Sequence, residues 1–117
     1  MPRDRRQHMR LQEIFMAYHN AMVISGAQPV NSIKNAAIDS ARFLKLCKDC
    51  KLFRKGFTSH DMDIVFVKYK APGKNKMAFD GFEAALDAIS LKLRMDPIQL
   101  VDVIVDKAAD GPNVQVG

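Results

Sequence analysis

The 117-residue chain contains no run approaching the roughly 20 apolar residues of a membrane span. Its start, M-P-R-D-R-R, lacks the apolar stretch of a secretory signal, and Pro2 stands where myristoylation needs glycine. These absences lead to the expectation of a cytosolic protein with no membrane partner. Cysteine is scarce: Cys47 and Cys50 are the two present, and in that compartment they are expected to stay reduced. No P-loop, nucleophile elbow or metalloprotease helix occurs, and His8, His19 and His60 stand alone in separate segments. The chain therefore reads as a non-enzyme, and nothing in it implies a cofactor.

What the chain does have is 48% hydrophobic content, too much for disorder throughout, on a length suited to one domain of about four or five short helices. Its net charge of +5 hides an asymmetry. Residues 1–95 carry 17 Lys and Arg against 9 Asp and Glu, a balance of +8, whereas residues 96–117 carry Lys107 against Asp96, Asp102, Asp106 and Asp110. A basic body attracts polyanions of every kind. The basic residues lack the interleaved aromatics of RNA-binding modules, and no groove-reading motif accompanies them, so nucleic acid is not expected as a partner.

Hydrophobic periodicity divides the chain into helices. Leu11, Ile14, Phe15, Tyr18, Ala21 and Met22 predict a helix over about 5–23, with residues 1–10 (Arg3, Arg5, Arg6, Arg10) a flexible basic terminus expected to fray. A long polar connection through Ser25, Gly26, Pro29, Asn31 and Asn35 follows. Asp39 is placed to cap a second helix with Phe43, Leu46, Cys47 and Cys50 inside. After Leu52, Phe53 and Phe57, Thr58 caps a third, which has Asp61 in its positive first turn and Met62, Val65, Phe66 and Tyr69 on one face. Pro72, Gly73 and Asn75 break the pattern; Phe82, Ala85, Leu86, Ile89 and Leu93 restart it. Asp96-Pro97 opens a last helix with Ile98, Val101, Ile104, Val105 and Ala108 inward, and Asp110-Gly111-Pro112 stops it. The domain proper is expected over 11–109 and a tail over 110–117.

The segment Lys70–Phe82 has the length and apolar punctuation of an EF-hand loop, with Met77 in the eighth place and Phe82 in the thirteenth. The first, third, fifth and twelfth places, which calcium needs as oxygen donors, are Lys70, Pro72, Lys74 and Gly81. Ile38 and Phe43 repeat the eighth-to-thirteenth spacing, and there Asn31, Ile33, Asn35 and Arg42 occupy the ligand places. The expected fold is all-α: a pair of EF-hand-like helix-loop-helix units with degenerate, calcium-free loops, joined by a short two-strand contact of Ile38 and Met77, plus a C-terminal helix.

K-L-C-K-D-C-K from Lys45 to Lys51, T-S-H-D-M-D-I-V-F-V-K-Y-K from Thr58 and F-D-G-F-E-A-A-L from Phe79 together resemble the core of the tubulin polymerisation-promoting protein family, the p25-alpha domain, over about Leu11 to Gly117. The chain departs from that family in a longer first loop, in stopping where members often continue into a disordered extension, and in Phe43-Leu44 where relatives often carry Trp. The resemblance implies an EF-hand-like domain without regular calcium loops that binds tubulin and promotes or stabilises microtubule assembly or bundling. It also implies a cytoplasmic, cytoskeletal location, with cilia and flagella suggested by short members in unicellular organisms.

Two basic runs are the candidate contacts for the acidic surface and tails of tubulin: Lys45, Lys48, Lys51, Arg54 and Lys55, and Lys68, Lys70, Lys74 and Lys76. Ordinary basic runs only solvate helix surfaces, but Lys70 and Lys74 invert the sign of loop positions that are acidic in calcium binders. Cys47-x-x-Cys50 lacks partners for a four-ligand zinc site and falls on an inner helix face, so it reads as structural, with no metal expected. Asp61 and Asp63 read as helix-start residues. The alternative function is a calcium-independent adaptor whose apolar groove, lined by methionines and aromatics, takes a partner helix, whereas Met16, Met62, Met77 and Met95 read as filling gaps in a core of short helices. The oligomeric state stays open, a monomer being favoured.

Overall fold

Three of the helices start where a side chain satisfies one of their first free N–H groups. In the computed structural model, which describes residues 5–21 and 32–109, the elements run α1 (Arg5–Asn20), β1 (Ala37–Ile38), α2 (Ser40–Asp49), α3 (Ser59–Tyr69), β2 (Met77–Ala78), α4 (Phe79–Leu93) and α5 (Pro97–Lys107), with a 3-10 turn over Ile33–Asn35. Asp39 accepts from the Arg42 amide at 2.8 Å to open α2, and Asp96 accepts from that of Ile98 at 2.8 Å to open α5, with Pro97 in the first helical place. Thr58 and Asp61 form a reciprocal capping box at α3.

The two short strands pair antiparallel, Ile38 opposite Met77 and Ala37 opposite Ala78, which joins the two helix-loop-helix halves as the hydrophobic spacing required. His19 of α1 covers the outer edge of β1, its Nδ1 lying 3.1 Å from the Ala37 amide and 2.6 Å from the Ala37 carbonyl. Behind the sheet, Phe82 is the centre of the core. Its ring lies 5.0 Å from Phe15 and 6.3 Å, edge to face, from Phe43. Tyr18 is fully buried and donates to Asp49 at 2.5 Å, with Lys45 on the other carboxylate oxygen at 2.8 Å, which fixes α1 against α2.

Three expectations shift. Helix α1 ends at Asn20 with Ala21 in a turn, and Met22 and the polar connection through Asn31 lie outside the described residues. Arg5 to Arg10, expected to fray, form the first turns of α1 and are tied down: Gln7 donates to Asp102, and His8 sits 3.5 Å from Glu83 with its ring edge-on to Phe79. Helix α5 buries Leu100, Val101, Ile104 and Ala108, while Ile98 and Val105 are half-buried. It packs on both α1 and α4, so its buried face is wider and turned toward Leu100 relative to a single stripe. Arg3 and the tail over 110–117 also lie outside the described residues. Among the described residues no helix is long and apolar enough to cross a membrane.

Candidate interaction surface

Two glycines define the ends of the body because neighbouring backbone fills the space of their missing side chains. Gly81, near the start of α4, lies against the carbonyl of Tyr69, the last residue of α3. Gly56, at a φ of +101° in the Arg54–Phe57 turn, would place a Cβ 3.1 Å from the carbonyl of Lys92 near the end of α4. Along α4 these two points are roughly 16 Å apart at 1.5 Å per residue. The candidate basic residues therefore do not form one face. Lys68, Lys70, Lys74 and Lys76 sit at the strand end, and Lys48, Lys51, Arg54 and Lys55 at the opposite, hinge end.

At the strand end the chain closes on itself. Ala71 and Lys74 bracket a turn in which Lys74 N donates to Ala71 O at 3.1 Å, with Pro72 second and Gly73 third at a φ of +71°. The Lys76 carbonyl accepts from the Ala71 amide at 2.8 Å, and the Lys70 ammonium donates to the Lys74 carbonyl at 2.9 Å. A lysine thus bonds a backbone oxygen in a loop of calcium-binding length. At the twelfth place, the Tyr69 carbonyl leaves Gly81 no room for any side chain. The charge here is mixed, since a groove of about 380 Å³ beside Phe66 and Val67 is lined by Asp39, Asp63, Lys70 and Asn75.

The hinge end collects cations from distant parts of the chain. Helix α2 finishes with Lys51 at a φ of +55° and a Leu52 amide returning to the Cys47 carbonyl at 3.0 Å; α4 finishes alike, with Arg94 at +55° and Met95 returning to Ser90 at 2.9 Å. This closure is normally made by glycine. Lys92 lies at the Gly56 turn and Lys107, in the last turn of α5, acts on the Cys50 thiol. Sequence reasoning missed Lys92, Arg94 and Lys107, because no local signal links them to the 45–55 run. Of the predicted residues, Lys45 is spent on Asp49.

Cys47 and Cys50 are buried to 0% and 1% exposure. Burial raises both thiols, Cys50 to about 12 with Asp49 adding and Lys107 opposing, and Cys47 further with Cys50 adding. Such thiols pack as small apolar groups. Among the described residues no three His, Cys, Asp or Glu side chains gather into a metal-sized group. Met62 and Met77 are buried in the core, with Met16 and Met95 packed against it, so these four fill the core as their spacing suggested.

The p25-alpha family profile matches residues 23–115. The chain belongs to the p25-alpha family. It is 38% identical over 63 residues to tubulin polymerization-promoting protein family member 2 of Mus musculus, covering 53% of this chain and 37% of that protein. It is 45% identical over 49 residues to family member 3 of Xenopus laevis, covering 41% of this chain and 28% of that protein, and 38% over 56 residues to member 3 of Rattus norvegicus, covering 47% and 32%. The p25-alpha chain described here thus aligns with well under half the length of these relatives.

Proposed function

We propose that this chain is a non-catalytic tubulin-binding domain that promotes or stabilises microtubule assembly through basic surface, on an EF-hand-like scaffold whose loops have no calcium role. The observation that carries the reading is the p25-alpha match over residues 23–115, with relatives whose names state tubulin polymerization promotion. Two properties of the chain support it. The basic balance of residues 1–95 suits an acidic polymer, and the paired loops meet through Ile38 and Met77 while Lys70 and Gly81 stand where calcium ligands would be needed. Attachment to the cytoskeleton in the cytoplasm follows from this function, and the cilium or flagellum is the specific location proposed.

Tubulin turbidity tests the promoting activity. Below the critical concentration for spontaneous assembly, the chain is expected to produce a rise in scattering that scales with its concentration and is unchanged by excess EGTA. A flat trace at every ratio rejects promotion, and a rise that needs calcium rejects the calcium-free reading.

A further inference from the structure

Cations gather at the hinge end from separate elements: Lys51 follows α2, Arg54 and Lys55 form the turn, and Lys92 and Arg94 end α4, with Lys107 of the last turn of α5 in electrostatic reach of Cys50. All six are exposed and none enters an ion pair among the described residues. Nearby carboxylates have structural duties, Asp61 on Thr58 while in electrostatic reach of Lys92, Asp96 on the Ile98 amide and Asp49 on Tyr18 and Lys45, with exposed Asp106 on the last turn of α5. The strand end differs: Lys70 lines two grooves with Asp39, Asp63 and Asp80, and its ammonium is bonded into its own loop.

Lys51 and Arg94 both hold left-handed conformations, which disfavour any residue with a Cβ and suit glycine. Both positions terminate helices at the same end of the body, and both carry a long cation. Helix C-termini attract positive charge, but a Lys or Arg one turn earlier meets that need without backbone strain. Strain kept in place by the surrounding fold is a mark of functional sites.

We infer that the hinge end, and not the strand-end loop, is the docking surface for an extended acidic peptide, which on the proposed function is the acidic tail of tubulin. An acidic tail needs spaced, exposed cations, which this end offers. Its affinity is then electrostatic, fast to form and screened by salt.

The double variant Lys51→Gly with Arg94→Gly tests this without risk to folding, because glycine relieves both conformations. Co-sedimentation is measured with intact microtubules and with microtubules whose acidic tails have been removed by limited proteolysis, at low ionic strength. The expected results are a higher melting temperature, binding to intact microtubules roughly threefold to tenfold weaker than wild type, and a comparable loss for wild type on tail-less microtubules. Lys55→Glu with Lys92→Glu should lose more, and Lys74→Glu with Lys76→Glu little. If the glycine variant is stabilised yet binds as well as wild type, or if tail removal changes nothing, the hinge-end assignment is overturned while tubulin binding stands. If wild type itself fails to pellet with intact microtubules, the proposed function falls and this inference with it.

Discussion

Gly81→Ala probes the contact that sets the angle between α3 and α4 and closes the loop between them. On helix propensity alone, alanine near the start of α4 should stabilise by up to about 1 kcal/mol. The structure reverses that sign. A Cβ at this position collides with the Tyr69 carbonyl, and the Met77 side chain stands 3.1 Å away. Methionine can yield, but a backbone oxygen at the end of α3 moves only with its helix. Overpacking of this kind costs roughly 1–3 kcal/mol, so the expected net effect is a loss of about 1–2 kcal/mol. For a domain of this size that lowers the melting temperature by about 4–10 °C. Urea unfolding followed by far-ultraviolet circular dichroism should show a lower midpoint at an unchanged slope. A midpoint equal to or above wild type would falsify the close approach of α3 to α4, and with it the closed loop at the strand end.

Tyr18→Phe removes the donor on Asp49 while keeping the ring, and should cost about 1–2 kcal/mol in urea unfolding; no loss would mean that the bond does not link α1 to α2. The buried thiols predict an alkaline limb. Below about 8.5, the ordinary thiol value, folded and unfolded chains both hold their protons and stability is full; above it the unfolded thiols ionise first, so stability falls as pH rises toward the folded value of Cys50, about 12. A Cys47→Ala, Cys50→Ala double variant should flatten this limb, and an unchanged slope would contradict it. At the acid end, bonds from Thr58 hold the Asp61 carboxyl below its usual range, so its contribution is present above about pH 4 and disappears as pH falls through the lower folded value. Amide exchange at the start of α3 should rise there in wild type and should already be faster at neutral pH in Asp61→Asn.

Features with a local cause could be read from the sequence. Thr58, Asp39 and Asp96 cap because a short polar side chain precedes an apolar stripe, and each makes the bond its position foretold. The pairing of Ile38 with Met77 followed from equal spacing to Phe43 and Phe82, since matched halves meet at matched positions. The α5 face was misjudged because contact with two helices cannot be inferred from one helix's periodicity. The basic surface was only half legible for the same reason. Lys68 to Lys76 and Lys45 to Lys55 appear as runs, but their separation to opposite ends, and the arrival of Lys92, Arg94 and Lys107 beside the second, depend on how helices far apart in sequence pack. Nor does a lysine in a loop reveal that its ammonium binds the loop's own carbonyl, as Lys70 does.

On the proposed function, this p25-alpha chain attaches to microtubules by charge. The most direct test is co-sedimentation of the wild-type chain with preassembled microtubules across a salt series. Saturable pelleting is expected at low ionic strength, weakening steadily as salt is added. Absence of the chain from the pellet at the lowest salt, or pelleting that salt leaves unchanged, would contradict it.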